Sequence, residues 1–177
     1  PLTMQSARGL RRWHKERNER LFREDIRDVE DIREIGKMRR LGDLLLPRAG
    51  SLLSINSLRE DLEISHNAAA RWVDILEAFY FLFRIHPHAP TPFRALRKEP
   101  KLYLWDWSEV ENPGARFENM VASHLLKLVH WLEDTEGFKA ELRFVRDSAK
   151  REVDFLVVID GRPWFMVEAK LSDASVP

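Results

Sequence analysis

The sequence predicts an α+β protein. Three observations predict it. Helical spacing of apolar residues, broken by short polar stretches, dominates the first part of the chain. A single long amphipathic run opens near Asn112-Pro113. Three strand-like segments follow it, the last two joined by Asp160-Gly161-Arg162-Pro163, which is turn chemistry. One helix followed by consecutive strands implies a helix packed on an antiparallel meander.

The first segment, residues 1–34, reads as a helical arm. LRRWHKERNERLFREDIRDVEDIREI has no Pro or Gly, and Phe22, Ile26, Val29 and Ile32 recur at helical spacing. Glu16 with Arg20, and Glu19 with Arg23, are expected i,i+4 pairs on the outer face. The alternating charges suit a solvated helix better than a basic arm for nucleic acid.

Residues 35–98 read as a winged helix-turn-helix. IGKMRRLGDLLL is an amphipathic helix, SINSLREDLEI a shorter one with Asn56 or Ser57 as cap, and SHNAAARWVDILEAFYFLFRI a longer one capped by Ser65 or Asn67. The last of these places Ala69, Val73, Leu76 and Tyr80 on one face before a strand-like run ends at HPHAPTP. Helices, then a strand and a Pro-rich loop, follow the order of a winged helix. Arg94, Arg97, Lys98 and Lys101 make the wing basic and suit phosphate contact. The second helix of the turn offers Asn67 and Arg71 to a groove, but also Asp74 and Glu77, which oppose phosphate. A structural or docking role for this module competes with DNA readout.

Residues 99–177 form the third segment. KLYLWDW reads as a strand. ENPGARFENMVASHLLKLVHWLED reads as a helix burying Phe117, Val121, Leu125, Leu128 and Leu132, with ELRFVRD, REVDFLVVID and PWFMVEAKL as strands. Asp154 interrupts an otherwise apolar strand. A lone buried carboxylate costs several kcal/mol, so it requires a partner. Glu168 and Lys170 share a face if the last strand runs through them. Two carboxylates and an ammonium on neighbouring strands suit a hard cation, Mg²⁺ above all, that activates water against a phosphodiester. Glu152 shares Asp154's face as an outer ligand or a solvated charge. An exposed Glu168–Lys170 pair blunting an edge strand is the plainer alternative, as is a helix-dipole role for Glu118.

Asp154, the hairpin and Glu168-Ala169-Lys170 resemble the D…(D/E)xK signature of the restriction-endonuclease-like, or PD-(D/E)xK, superfamily. RFENMVASHLL stands where that superfamily has a helix supplying another acid. The resemblance implies a restriction-endonuclease-like α/β domain. In it Glu118, Asp154 and Glu168 hold metal, and Lys170 positions water. The helical arm, winged helix, KLYLWD, GARFEN helix and VDF…VEAK hairpin together resemble the C-terminal part of bacterial and archaeal AAA-type ATPases, where a domain of unknown function follows the ATPase core. That likeness implies an ATPase core in cis and ATP bound through a part preceding Pro1, because no G-x-x-x-x-G-K-[ST] occurs here. The superfamily fold continues past the ExK strand, so the resemblance implies a domain that is incomplete after LSDASVP or that finishes in residues beyond it.

Bulk composition agrees with a folded protein. Of 177 residues, 44% are hydrophobic and 33% charged, and no apolar run is long enough to span a membrane. There are no cysteines, which excludes disulfides and thiolate zinc sites and points to a reducing, cytoplasmic setting. Lys plus Arg equals Asp plus Glu at 29 each, so any phosphate-binding surface must be local. His86-Pro87-His88 lacks a third metal ligand. Trp105, Trp107 and Trp131 are expected as core or interface anchors. Two functions stay open. One is Mg²⁺-dependent cleavage of nucleic acid. The other is a catalytically inactive nuclease-like domain that, with the winged helix, binds DNA or protein and regulates the ATPase. Either admits a homo-oligomer.

Overall fold

The computed structural model describes residues 6–26, 34–89, 98–147, 149 and 151–171. Two compact units are present: one from the segment ending at Pro47 together with Ser54–Phe81, the other from Arg48–Leu53 and Leu82 onward.

The first unit is helical. Helix α1 spans Ala7–Arg20, with the Ser6 hydroxyl accepting from the Gly9 amide at its start. A wide π-helical turn, Leu21–Asp25, continues it and buries Leu21 and Phe22, with Ile26 buried just beyond. Glu16 pairs with Arg12 rather than along the expected i,i+4 direction to Arg20, and Glu19 lies 3.9 Å from Arg39. Val29 and Ile32 lie outside the described residues. Helix α2, Ile35–Leu45, buries Met38, Leu41, Gly42 and Leu45. Gly42 is required there: a Cβ would stand 2.6 Å from the Phe22 ring.

Helix α3, Ile55–Leu62, starts after Ser54, ahead of the expected Asn56 or Ser57, and ends in a left-handed Glu63. Helix α4, His66–Ala78, is capped by Ser65, whose hydroxyl accepts from Ala68 N. Its buried residues are Ala69, Trp72, Val73, Ile75 and Leu76. Tyr80 was expected on that face but falls past the helix end, at φ 56 and 71% exposed.

The second unit contains a five-stranded mixed sheet ordered β2-β1-β3-β4-β5. Its strands are β1 Leu82–Pro87, β2 Lys101–Leu104, β3 Ala140–Arg146, β4 Glu152–Ile159 and β5 Arg162–Val167. Strand β1 pairs antiparallel with β2 and parallel with β3, at His86–Arg143 and Pro87–Phe144. It thus belongs to the sheet of the second unit, whereas the sequence reading made it part of the 35–98 winged helix-turn-helix. Leu52 adds a bridge to Lys101. The β3–β4–β5 meander is antiparallel as expected. Asp160 and Gly161, at φ 48 and 77, form the tight two-residue turn between β4 and β5.

Helix α5, Pro113–Trp131, begins where the sequence indicated: Asn112 Oδ1 accepts from Ala115 N, and Pro113 occupies the first turn. Its fully buried positions are Asn119, Ala122 and Val129. Val121, Leu125 and Leu128 of the expected stripe are only partly buried against the core. That core joins Phe83, Ile85, Tyr103, Phe144, Phe155 and Val157 to the helix. Trp105 packs on Phe83 at 5.3 Å between ring centroids, whereas Trp131 is 51% exposed. No helix of the described residues is long and apolar enough to cross a membrane.

Candidate functional site: a buried lysine among carboxylates

Strand alternation puts Lys101 and Tyr103 on one face of β2, and Glu152 and Asp154 on one face of β4. Glu118 reaches the same place from the second turn of α5. The Lys101 ammonium, 4% exposed, is the centre of the group. It donates to Glu118 Oε1 at 3.2 Å and Asp154 Oδ1 at 3.1 Å, and lies 2.7 Å from Glu152 Oε1. The Tyr103 hydroxyl donates to Glu118 Oε1 at 2.7 Å. Gly50, at φ 79, lets the backbone run beside Glu118: a Cβ there would meet both carboxylate oxygens at 3.3 Å. Asn119, next on the helix, fastens α5 to β2. Its Oδ1 accepts from Leu104 N at 2.8 Å, and its Nδ2 donates to Leu104 O at 2.7 Å.

Glu168 and Lys170 are held differently. Strand β5 ends at Val167, so both lie beyond it. The Asp154 amide donates to Glu168 Oε2 at 3.4 Å, and Ala169 N donates to Asp154 Oδ2 at 3.1 Å. Lys170, about half exposed, pairs with Glu168 at 3.3 Å. A continuous chain of contacts therefore runs from Lys170 through Glu168 and Asp154 to Lys101, Glu118 and Glu152. Arg146 approaches Glu152 from the rim at 3.7 Å.

The electrostatics follow from burial and partners. Burial alone would lower the Lys101 pKa. The hydrogen bond to Glu152 and the charges of Glu118, Asp154 and Glu152 outweigh it and hold that pKa above the ordinary 10.5. Burial raises Glu118 above 4.5, and Lys101 and Tyr103 offset only part of that rise. Tyr103 is pushed far up by burial and by the charge of Glu118, so its hydroxyl is a permanent donor. Counting Glu118, Glu152 and Asp154 against Lys101, carboxylates outnumber ammonium three to one.

Lys101 corrects an expectation. It was assigned to the basic wing as a phosphate contact, but it is buried and committed to three carboxylates. The physical reason is register: Lys101 stands opposite Ile85 on one side and Leu52 on the other, in a strand buried throughout. Of the other basic candidates, Lys98 and Arg71 are exposed, while Arg94 and Arg97 fall outside the described residues. Tyr103 and Asn119 were not anticipated. An alternating Lys-x-Tyr inside an apolar strand was the available signal, of the same kind that singled out Asp154.

No curated protein and no solved structure matches the chain. Two family patterns do. Residues 113–177 match a domain of unknown function, DUF4143, which covers α5 and the β3–β4–β5 meander with Glu118, Asp154, Glu168 and Lys170. Residues 2–109 match another, DUF8612, whose span takes in the helical unit, β1 and β2 with Lys101. That second match covers more than half of the 177 residues, and the chain belongs to the DUF8612 family.

Proposed function

We propose that the second unit is a restriction-endonuclease-like domain of the kind attached to AAA-type ATPases, and that it acts as a binding and regulatory module rather than a hydrolase. One observation carries the reading: the Lys101 ammonium lies 2.7 to 3.2 Å from oxygens of three carboxylates, where a metal-dependent nuclease would hold its ion. An all-oxygen donor set suits Mg²⁺. With Lys101 as its internal cation, the set does not fit a resident divalent ion. The DUF4143 match over residues 113–177, a domain associated with AAA-type ATPases, supports an ATPase partner in cis, through which ATP would act. The succession of α2, α3 and α4 supports a helix-turn-helix, while β1 and β2, read as its wing, belong to the sheet of the second unit.

The test is incubation of the full chain with supercoiled plasmid and Mg²⁺ or Mn²⁺. This reading expects no nicking. Nicking that disappears in Asp154→Ala would overturn it. The hydrolytic reading has one observation in its favour, the contact chain Lys170–Glu168–Asp154. The ExK motif lies beside the acid from β4, and on that reading Glu118, Asp154 and Glu168 would be the ligands and Lys170 would orient the water. The same assay decides between the two.

A further inference from the structure

Among the described residues of the helical unit, α1 carries a marked charge imbalance: its 14 residues hold six Lys or Arg against two Glu. Both acids are engaged. Glu16 pairs with Arg12 at 2.6 Å, and Glu19 lies 3.9 Å from Arg39. Arg8, Arg11 and Lys15 are exposed, and among the described residues none has a carboxylate partner. Their spacing, i, i+3 and i+7, aligns them on one face of the helix. Leu10, Trp13 and Arg17, on the other side, are partly buried, and the Arg17 guanidinium stacks over the Trp13 ring at 5.4 Å. The helix is anchored at its far end by the buried Leu21, Phe22 and Ile26.

We infer that the Arg8–Arg11–Lys15 face of α1 is a docking surface for the phosphate backbone of duplex nucleic acid. Seven residues of helix span about 10 Å. About 10 Å of duplex axis presents roughly three phosphates per strand. Three aligned cations thus meet a matching row of anions. Of the interleaved glutamates, which in the sequence weaken such a reading, Glu16 is paired with Arg12 at 2.6 Å, and Glu19, one turn beyond Lys15, lies 3.9 Å from Arg39. The partly buried Leu10 and Trp13 leave this face without the exposed apolar stripe that insertion into a lipid surface needs. The contact is to the backbone, so it carries no base preference.

The test is fluorescence anisotropy of a labelled random-sequence duplex of about 20 base pairs with the full chain, across about 50 to 200 mM salt. Binding is expected to weaken with salt at a log–log slope of about 2.7 from three contacts. The triple variant Arg8→Gln, Arg11→Gln, Lys15→Gln should bind at least about tenfold more weakly and lose most of that slope. Far-UV circular dichroism confirms that the helix is retained. Equal binding by wild type and the triple variant overturns the inference. So does loss of binding in Arg71→Gln alone, and so does binding to phosphatidylserine vesicles without binding to duplex. Plasmid nicking would overturn the non-catalytic reading of the second unit and leave this inference standing.

Discussion

The Lys101 ammonium donates to Asp154 Oδ1 at 3.1 Å, joining residues 53 apart in the chain. The contact spans β2 and β4, strands that β1 and β3 separate in the sheet order. Glu118 adds the helix to the same cation. One side chain thus ties three elements of the second unit together, and it is the only positive charge deep enough to compensate the acids around it among the described residues.

Replacing Lys101 by Met, which keeps an unbranched chain one atom shorter, leaves Glu118, Glu152 and Asp154 without their counter-ion. Breaking a buried ion pair from one side costs about 3 to 5 kcal/mol. The carboxylates retain some solvent contact, so the lower end is expected. Urea denaturation should show it as a lowered midpoint. Adding Asp154→Asn to Lys101→Met should cost less than the separate effects combined, with a coupling of about 1 to 3 kcal/mol. Strict additivity would mean that the pair contributes nothing.

The pH dependence follows from the same cluster. Lys101 has a raised pKa in the folded protein, so its stabilisation is complete below the unfolded value near 10.5 and is lost as pH rises through the folded value. Stability measured against pH should therefore fall more steeply above 10.5 in the wild type than in Lys101→Met. Glu118 works in the opposite sense to an ordinary paired carboxylate. Its folded pKa is raised, so the folded state holds the proton longer, and stability declines as pH climbs from 4.5 through the raised value. In Glu118→Gln, which still accepts from Tyr103, that weakly acidic decline should vanish. An unchanged slope would show that Glu118 ionises as freely as in the unfolded chain.

Gly50 tests how closely the Glu118 carboxylate is confined. Gly50→Ala places a non-glycine residue at φ 79, which costs about 1 to 2 kcal/mol, and sets a methyl 3.3 Å from both Glu118 oxygens. Gly137 is the control, because its φ is 73 and nothing lies within 4 Å of its Cβ position. Gly50→Ala should be the more destabilising of the two in chemical denaturation. Equal losses would mean that Glu118 moves aside freely.

The parts of this arrangement that local chemistry dictates were legible in the sequence. Asn112-Pro113 marked the start of α5, Asp160-Gly161 marked the hairpin, and the charge in an apolar strand marked Asp154 as needing a partner. What fixes the partner was not local. Lys101 sits in a run of basic residues, and only its pairing with Ile85 and Leu52 turns it inward. The parallel β1–β3 contact joins distant segments, and no turn signal announces such a pairing. Glu168 was placed by alternation, which holds only while a strand continues, and β5 stops one residue earlier. The stripe on α5 was drawn through apolar residues alone. Leu132 of that stripe is buried, but the helix itself buries Asn119 together with Ala122 and Val129, so its inward face lies toward Asn119.

Asn119 gives the last prediction. Its side chain is wholly buried and makes a reciprocal pair of hydrogen bonds with the Leu104 backbone, completing the pairing of a strand at the sheet's edge. Asn119→Leu keeps the branched four-atom shape of the side chain and leaves both Leu104 groups without partners in a dry environment. Each buried unsatisfied group costs about 1 to 3 kcal/mol, so a loss of about 2 to 6 kcal/mol is expected. Asn119→Asp should fail as well, because a carboxylate cannot donate to Leu104 O. Hydrogen exchange supplies the local readout: the Leu104 amide should lose protection in both variants by more than the global destabilisation accounts for. Leu104 protection that falls only in step with the rest of the sheet would show that the backbone finds another partner and that Asn119 does not hold β2 in place.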